Sequence, residues 1–311
     1  MRSARINPYP VYVSIALLGC LAASTLADEV VGWGGNFEGQ INVPAGTDYI
    51  QIAGGWGHSL ALTASGAIVA WGNNQSGQLE VPPGSNFMAI DAGNRHGLAL
   101  RCDGSLAAWG DNTYGQTDVP VGDEFVAVAA GWGHSLALRS DGTVVGWGNN
   151  DNGQIDPPAY ADFVAIATGT NHSLGLRANG SLVGWGLNND GEIDVPTGND
   201  FAVIAVGYRH SLALREDGAL LGWGANYDGQ INVPPGTDFT ALAAGTQHSL
   251  ALREDGTIAC WGSNYYGQIN GPVGGGHSAI AAGYVHSLAL IPEPGTVVLL
   301  LLGTGCALRQ R

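Results

Sequence analysis

Along residues 125–158 the side chains alternate with a period of two, and each alternating run stops at turn residues. Val126, Val128 and Ala130 interleave with Ala127 and Ala129 as far as Gly131, the pattern of a short strand, A. His134-Ser135-Leu136-Ala137-Leu138 alternates again and sets His134, Leu136 and Leu138 on one face of a strand B. Ser140-Asp141-Gly142-Thr143 follows, and Asp-Gly between two alternating runs predicts a hairpin with a type I′ turn, whose central residues both take positive φ. Val144-Val145-Gly146-Trp147 reads as strand C. The chain then turns through Gly148–Gln154, and the segment from Ile155 to Pro158 is expected to form an outer edge strand D, because proline lacks the N–H that an inner ladder needs.

This pattern returns every 38 residues. Trp33, Trp71, Trp109, Trp147, Trp185, Trp223 and Trp261 each precede a glycine, and Asn36 to Asn264, Pro44 to Pro272 and His58 to His286 recur without a missing copy. A unit that cannot bury its own apolar face must stack on neighbours, and four short antiparallel strands per repeat of about 40 residues predict a propeller blade. The expectation is therefore an all-β, seven-bladed β-propeller over residues 28–290. The chain opens on a strand C (Val30 to Trp33) and ends on a strand B (His286 to Leu290), each lacking its partner, so pairing the two closes the ring. The 50 glycines fall at fixed repeat positions and mark turns rather than disorder.

Ala-Gly-x-x-His-Ser-Leu-Ala-Leu (Ala130 to Leu138) and Trp-Gly-x-Asn-x-x-Gly-Gln (Trp109 to Gln116) resemble the repeat of the regulator-of-chromosome-condensation family. The short period and the Gln-x-x-Val-Pro element are more similar to the secreted β-lactamase-inhibiting propeller of that superfamily. The resemblance implies a scaffold that binds proteins through loops on one face.

The net charge is −15, lysine is absent, and Arg2, Arg5, Arg309 and Arg311 lie in the terminal segments. Phosphate binding relies on clustered Lys and Arg, so nucleic acid is excluded as a partner. Arg2 and Arg5, an apolar run from Val11 to Ala23 and Thr25-Leu26-Ala27 make residues 1–27 a secretory signal peptide, with a retained anchor or a lipoprotein box at Leu17-Leu18-Gly19-Cys20 as alternatives. Pro292-Glu293-Pro294, an apolar stretch from Thr296 to Leu308 and Arg309-Gln310-Arg311 resemble the PEP-CTERM sorting signal. That resemblance assigns residues 291–311 to an exosortase-type enzyme at the inner membrane of a Gram-negative bacterium, with transient membrane anchoring and final placement at the cell surface or in the extracellular matrix. A simple tail anchor is the alternative. Between the two ends, Cys102 and Cys260 occupy different phases of distant repeats, which argues against a disulfide, and Cys260 reads as a small core residue beside Trp261.

The seven repeated histidines look like a metal ring. Homologous atoms of successive blades lie too far apart for joint coordination, so each is expected to hydrogen-bond neighbouring backbone, and no metal or cofactor is assigned. No nucleophile elbow, paired catalytic carboxylate or phosphate loop stands outside the register, although Asp91, Asp111 and Glu192 break it. Function is then sought where the repeats disagree. The A-to-B and C-to-D loops emerge on one face and carry Phe37, Trp56, Arg95, Tyr114, Trp132, Tyr208, Arg209, Tyr227, Tyr265, Tyr266 and Tyr284. Trp, Tyr and Arg on rigid loops are the residue types of protein-binding hot spots. The reading is an exported, non-catalytic binding propeller that engages a protein or cell-surface partner. The alternatives are a structural component of biofilm or matrix and, behind it, a polysaccharide-active enzyme using the channel. Export, acidity and the missing lysines disfavour nucleotide exchange or chromatin binding, the activities of the superfamily's founding members.

Overall fold

The computed structural model describes residues 28–46 and 48–292, all of it strand, turn and loop. Seven three-stranded antiparallel blades follow one another in a ring, and a single Asp28–Tyr49 pair joins the last to the first. Six are continuous in the chain, beginning with blade 1 (A, Tyr49–Gly54; B, His58–Thr63; C, Ile68–Gly72) and ending with blade 6 (A, Phe239–Ala244; B, His248–Arg253; C, Ile258–Gly262). Blade 7 joins the two ends: Ala279–Ala282 and His286–Pro292 supply A and B, and Asp28–Gly34 supplies C. Asp28 pairs with Pro292, Val30 with Leu290 and Trp33 with Ser287, so the predicted closure is present and longer than expected. The proposed leader, residues 1–27, and the proposed sorting tail beyond Pro292, including Glu293 and Pro294, lie outside the described residues.

Each blade has three strands rather than four. After Trp147 the backbone donors that a strand D would offer are committed to the turn: Ile155 N–H bonds Asn150 Oδ1, Asp156 N–H bonds Gly153 O, and Pro157 and Pro158 have none. The segment covers strand C through side chains instead, with Ile155 so close to Gly146 that a Cβ there would lie 2.7 Å from its Cβ. The hairpin also differs from the expected type I′ turn. Arg139 O accepts from Gly142 N, Arg139 N donates to Thr143 O, and only Gly142 has positive φ (81°), the three-residue loop of a type I turn with a glycine bulge.

No blade has a core of its own. Seven apolar clusters lie between neighbours, each combining strand-B leucines of one blade with the tryptophan of the next, as when Leu136 and Leu138 of blade 3 meet Phe163 and Trp185 of blade 4 (Phe163–Thr168, His172–Arg177, Leu182–Gly186). A polar clasp is buried beside each cluster. The indole N–H of every repeated tryptophan donates to the main-chain carbonyl of Gln40, Gln78, Gln116, Gln154, Glu192, Gln230 or Gln268 in the preceding blade, at 2.7 to 2.9 Å. At six interfaces a strand-B serine donates to the same carbonyl and meets a histidine Nε2 of the preceding blade at 2.9 to 3.1 Å. The serine has one proton and gives it to the carbonyl, so Nε2–H must donate, which fixes the neutral tautomer. The histidine partner is thus a side chain of the next blade, and not the neighbouring backbone that the sequence suggested. Gly97 stands in the serine position between blades 1 and 2, leaving Nε2 of His58 without a partner. That same interface carries two further bonds, from Gln51 to the N–H and carbonyl of Ile90.

Around the axis, Gly55, Gly93, Gly131, Gly169, Gly207, Gly245 and Gly283 form a second ring of contacts. A Cβ on any of them would lie 2.3 to 2.7 Å from a glycine carbonyl of the next blade. Blade spacing at the channel mouth therefore depends on hydrogen at these seven positions.

Two outcomes follow for stability. Ser173→Ala should destabilise the domain by about 1–3 kcal/mol, since it leaves the buried His134 Nε2–H unsatisfied. A double-mutant cycle with His134 should show coupling, and additive effects would contradict the clasp. The second concerns acid. Burial pushes the seven repeated imidazoles from 6.5 down to about 3, or about 4 at His248, so the unfolded state binds more protons below pH 6.5. Their stabilisation is complete above that pH and is lost as pH falls, at about 1.4 kcal/mol per histidine per pH unit and on the order of 10 for all seven. Asp91 acts in the opposite sense, because burial raises it from 3.8 to about 6, but it is one group. Against a typical stability of 5–15 kcal/mol, tryptophan fluorescence should report unfolding centred at about pH 5. Stability unchanged between pH 6.5 and 4.5 would refute the burial of neutral histidines.

Candidate functional site

The A-to-B loops and the loops after strand C do converge on one face. Asn73 N donates to Gly57 O and Asn149 N to Gly133 O, while the hairpins sit at the other end. The loops are rigid for a local reason: the side-chain oxygen of each Gln40-type residue accepts the N–H two residues earlier, and Asn36-type residues bond both the segment beyond and its N–H. What varies between blades is displayed on that frame.

Six of the eleven candidate residues gather around one cavity. Trp56, Arg95, Tyr114, Trp132, Tyr208 and Tyr284 line a funnel of about 580 Å³ at the mouth of the channel, to which all seven blades contribute. The main chain ties the rim together across blades, with Asn94 N bonded to Gly131 O, Trp132 N to Gly169 O and Tyr284 N to Gly55 O. Four of the aromatics are paired, and Arg209 lies 5.3 Å over the ring of the fifth, Tyr208. Tyr284 packs on Trp56 with ring centroids 5.6 Å apart, Arg95 lies 5.5 Å over the other neighbour side of Trp56, and Tyr114 packs on Trp132 at 5.6 Å. This stacking leaves Trp56 half-buried, whereas Trp132, Tyr208 and Tyr284 stay exposed. Polar lining comes from Asn94, Asp111, Thr168, Thr170 and Thr246. Thr168 breaks the register, which carries alanine or valine there in most other blades, but it ends a strand and so lay outside the loops in which candidates were sought.

The remaining five candidates lie outside the funnel. Phe37 and Tyr266 meet edge to face at 5.1 Å on the outer rim, and Tyr265 stands alone, 83% exposed. Arg209 and Tyr227 are joined by a residue that sequence reasoning did not single out. Asp190 accepts the Tyr227 hydroxyl at 2.5 Å and Arg209 Nη1 at 3.1 Å, and the phenol bond followed by the guanidinium holds its carboxyl below the ordinary range.

Glu192 replaces the repeated glutamine and is fully buried. Its Oε2 accepts the Asp190 N–H, as glutamine does elsewhere, but Oε1 has no partner. In blades 1 and 3 the glutamine Nε2 donates to Asn73 or Asn149, and Leu187 occupies that position here. Cys102 and Cys260 are not bonded to each other, and burial raises the Cys260 thiol to about 11. Among the described residues no group of three or more His, Cys, Asp or Glu is arranged to hold a metal ion.

The family model described as the regulator of chromosome condensation (RCC1) repeat matches residues 49–78, 89–116, 125–154, 163–192, 201–230 and 239–268, more than half of the chain. The chain belongs to the RCC1 repeat family. The six matched segments correspond to the six blades that are continuous in sequence. No curated protein sequence matches the chain. Among solved structures, Prp20p of Saccharomyces cerevisiae, described with its binding to Gsp1p and histones, superposes with a TM-score of 0.75 at 20% identity, covering 88% of this chain and 93% of Prp20p. Human WBSCR16 gives 0.71 at 19% identity over 85% and 99% of the two chains. The ectodomain of the Physcomitrella patens receptor kinase CR4 gives 0.64 at 27% identity, over 76% and 69%. These likenesses carry the RCC1 propeller architecture.

Restoring the repeat at Glu192 should stabilise this RCC1 propeller. The double variant Leu187→Asn, Glu192→Gln is expected to add about 1–3 kcal/mol by supplying the missing side-chain pair and removing an orphaned buried oxygen. Thermal unfolding checks it, and a lower Tm would show that the buried carboxylate is itself supported.

Proposed function

We propose that this chain is an exported, non-catalytic binding propeller that engages a protein partner through its loop face. The convergence of Trp56, Arg95, Tyr114, Trp132, Tyr208 and Tyr284 on one funnel carries the reading. Rigid, half-exposed aromatics around a concave centre bury large area at little entropic cost, which is the composition of protein-binding hot spots. The cavity lies in the range of small-ligand sites, but it is open across all seven blades and suits an inserted loop of a partner. Prp20p, a propeller of the same architecture, is described as binding the proteins Gsp1p and histones, which supports protein binding as a use of such a scaffold. Kinship with the secreted β-lactamase-inhibiting propeller belongs to the same proposal and rests on the short repeat and the Gln-x-x-Val-Pro element.

Export is proposed from the sequence of residues 1–27, and exosortase sorting to the cell surface from the Pro292-Glu293-Pro294 tail. The direction of blade 7 agrees with display. Asp28 and Pro292 are paired at the hairpin end of the ring, so leader and tail both join the domain opposite the funnel. A chain tethered there would present its aromatic face outward.

The test is capture of a partner from the native cell envelope with residues 28–292, followed by titration of variants. Because a hot-spot truncation costs about 2 kcal/mol or more, the triple variant Trp132→Ala, Tyr208→Ala, Tyr284→Ala should weaken binding by at least about a thousandfold. Ser140→Ala, Glu216→Ala and Glu254→Ala, exposed on the hairpin face, should leave it unchanged. Loss confined to the hairpin set would reject the loop face. Retention of polysaccharide alone would favour the matrix reading.

A further inference from the structure

The repeat supplies an internal template for a site that is half built. At the junction of blades 4 and 5, the carboxylate of Asp190 is met by two groups: Arg209, 19 residues on, and the hydroxyl of Tyr227, 37 residues on. One repeat later the register places Asp228, Gln247 and Tyr265 in these three positions. The carboxylate and the tyrosine are kept, and the cation is replaced by a neutral side chain. Glu38, the third carboxylate at this register, has Gly57 and Gln75 in the other two positions and offers no such arrangement.

The junction of blades 5 and 6 is open where the preceding one is filled. A groove of about 350 Å³ lies there, lined by Asp228, Gly262, Ser263, Asn264 and Tyr265. Asp228 is half-buried and has no ion-pair partner among the described residues, while Tyr265 projects into solvent. A part-buried carboxylate beside the exposed face of a tyrosine favours a planar cation, which can pair with the one and stack on the other. The surroundings supply no such cation. Lysine is absent from the chain, Arg209 is committed to Asp190, and Arg95 lies over Trp56 in the funnel.

We propose that the groove at Asp228 and Tyr265 receives the guanidinium of an arginine side chain from the bound partner, in the place that Arg209 holds one blade earlier. The site rests on the reading of the loop face as the protein-docking face. It adds to that reading the chemistry of the partner: an arginine reaching the outer rim, beside the segment that enters the funnel. Charge complementarity points the same way, since Glu38, Asp190 and Asp228 all stand on this rim and the one arginine beside them is already paired.

The probe is Nα-acetyl-arginine amide, with the citrulline analogue as its uncharged isostere, titrated into residues 28–292 and followed by the amide resonances of Ser263, Asn264 and Tyr265. The arginine compound should bind saturably at millimolar concentration, and the citrulline analogue at least tenfold more weakly. Asp228→Asn removes the carboxylate, and Gln247→Arg supplies the internal cation and fills the groove. Each should weaken the arginine compound at least tenfold without altering thermal unfolding. No saturable shift at these amides, equal binding of citrulline, or undiminished binding to Gln247→Arg would each overturn the proposal. The probe needs no partner, so its failure leaves the funnel assignment standing, and failure of the funnel variants leaves the arginine result to stand separately.

Discussion

Everything in this molecule depends on joining blades that cannot stand alone. Each three-stranded sheet buries its leucines only against the next blade's tryptophan, and a single main-chain carbonyl, that of Gln116 for example, receives both the indole N–H of Trp147 and the hydroxyl of Ser135. Apolar contact supplies most of the drive, but it is not directional. The clasp adds direction: three polar groups from two blades must meet inside the interface, or each is left buried without a partner. The ring closes because the seventh interface, built from the two chain ends, obeys the same rule through Trp33 and Gln268.

This explains why the most repeated residues are not the ones we propose for recognition. His134 sits in the buried interface, with its Nε2–H directed at Ser173 and its charge excluded by burial. Gly131 recurs because the next blade's carbonyl occupies the space a Cβ would need. The recognition we propose falls to positions that the interfaces do not fix, namely the two residues after each such glycine and the pair after each Asn36-type residue. The scaffold holds these side chains in place from beneath, which suits a binding face that must keep its shape before a partner arrives.

Much of this was legible in the sequence, and the exceptions have definite causes. The ring, its seven blades and the pairing of Val30–Trp33 with His286–Leu290 follow from the register alone. Strand D was misjudged because Ile155 and Pro158 fit an edge strand by composition, whereas Asn150 captures the N–H such a strand would use. Asp141-Gly142 serves a type I turn with a bulge as well as a type I′ turn, and a dipeptide does not distinguish them. The serine partner of each histidine lies 39 residues away, a separation that an eye on single repeats passes over. In the site, the aromatics stood out because they break the register. Asp190 did not, since its partners come from two different loops 19 and 37 residues on.

The division between a repeated scaffold and an unrepeated recognition face is tested most directly by amide hydrogen exchange of residues 28–292, measured with and without the captured partner. Slowed exchange is expected at 54–57, 93–95, 131–133, 206–209 and 282–285 and in the loops at 226–229 and 264–267, with the hairpins at 139–143, 177–181 and 215–219 unchanged. Protection concentrated in the hairpins, with the funnel loops exchanging as in the free domain, would contradict the account.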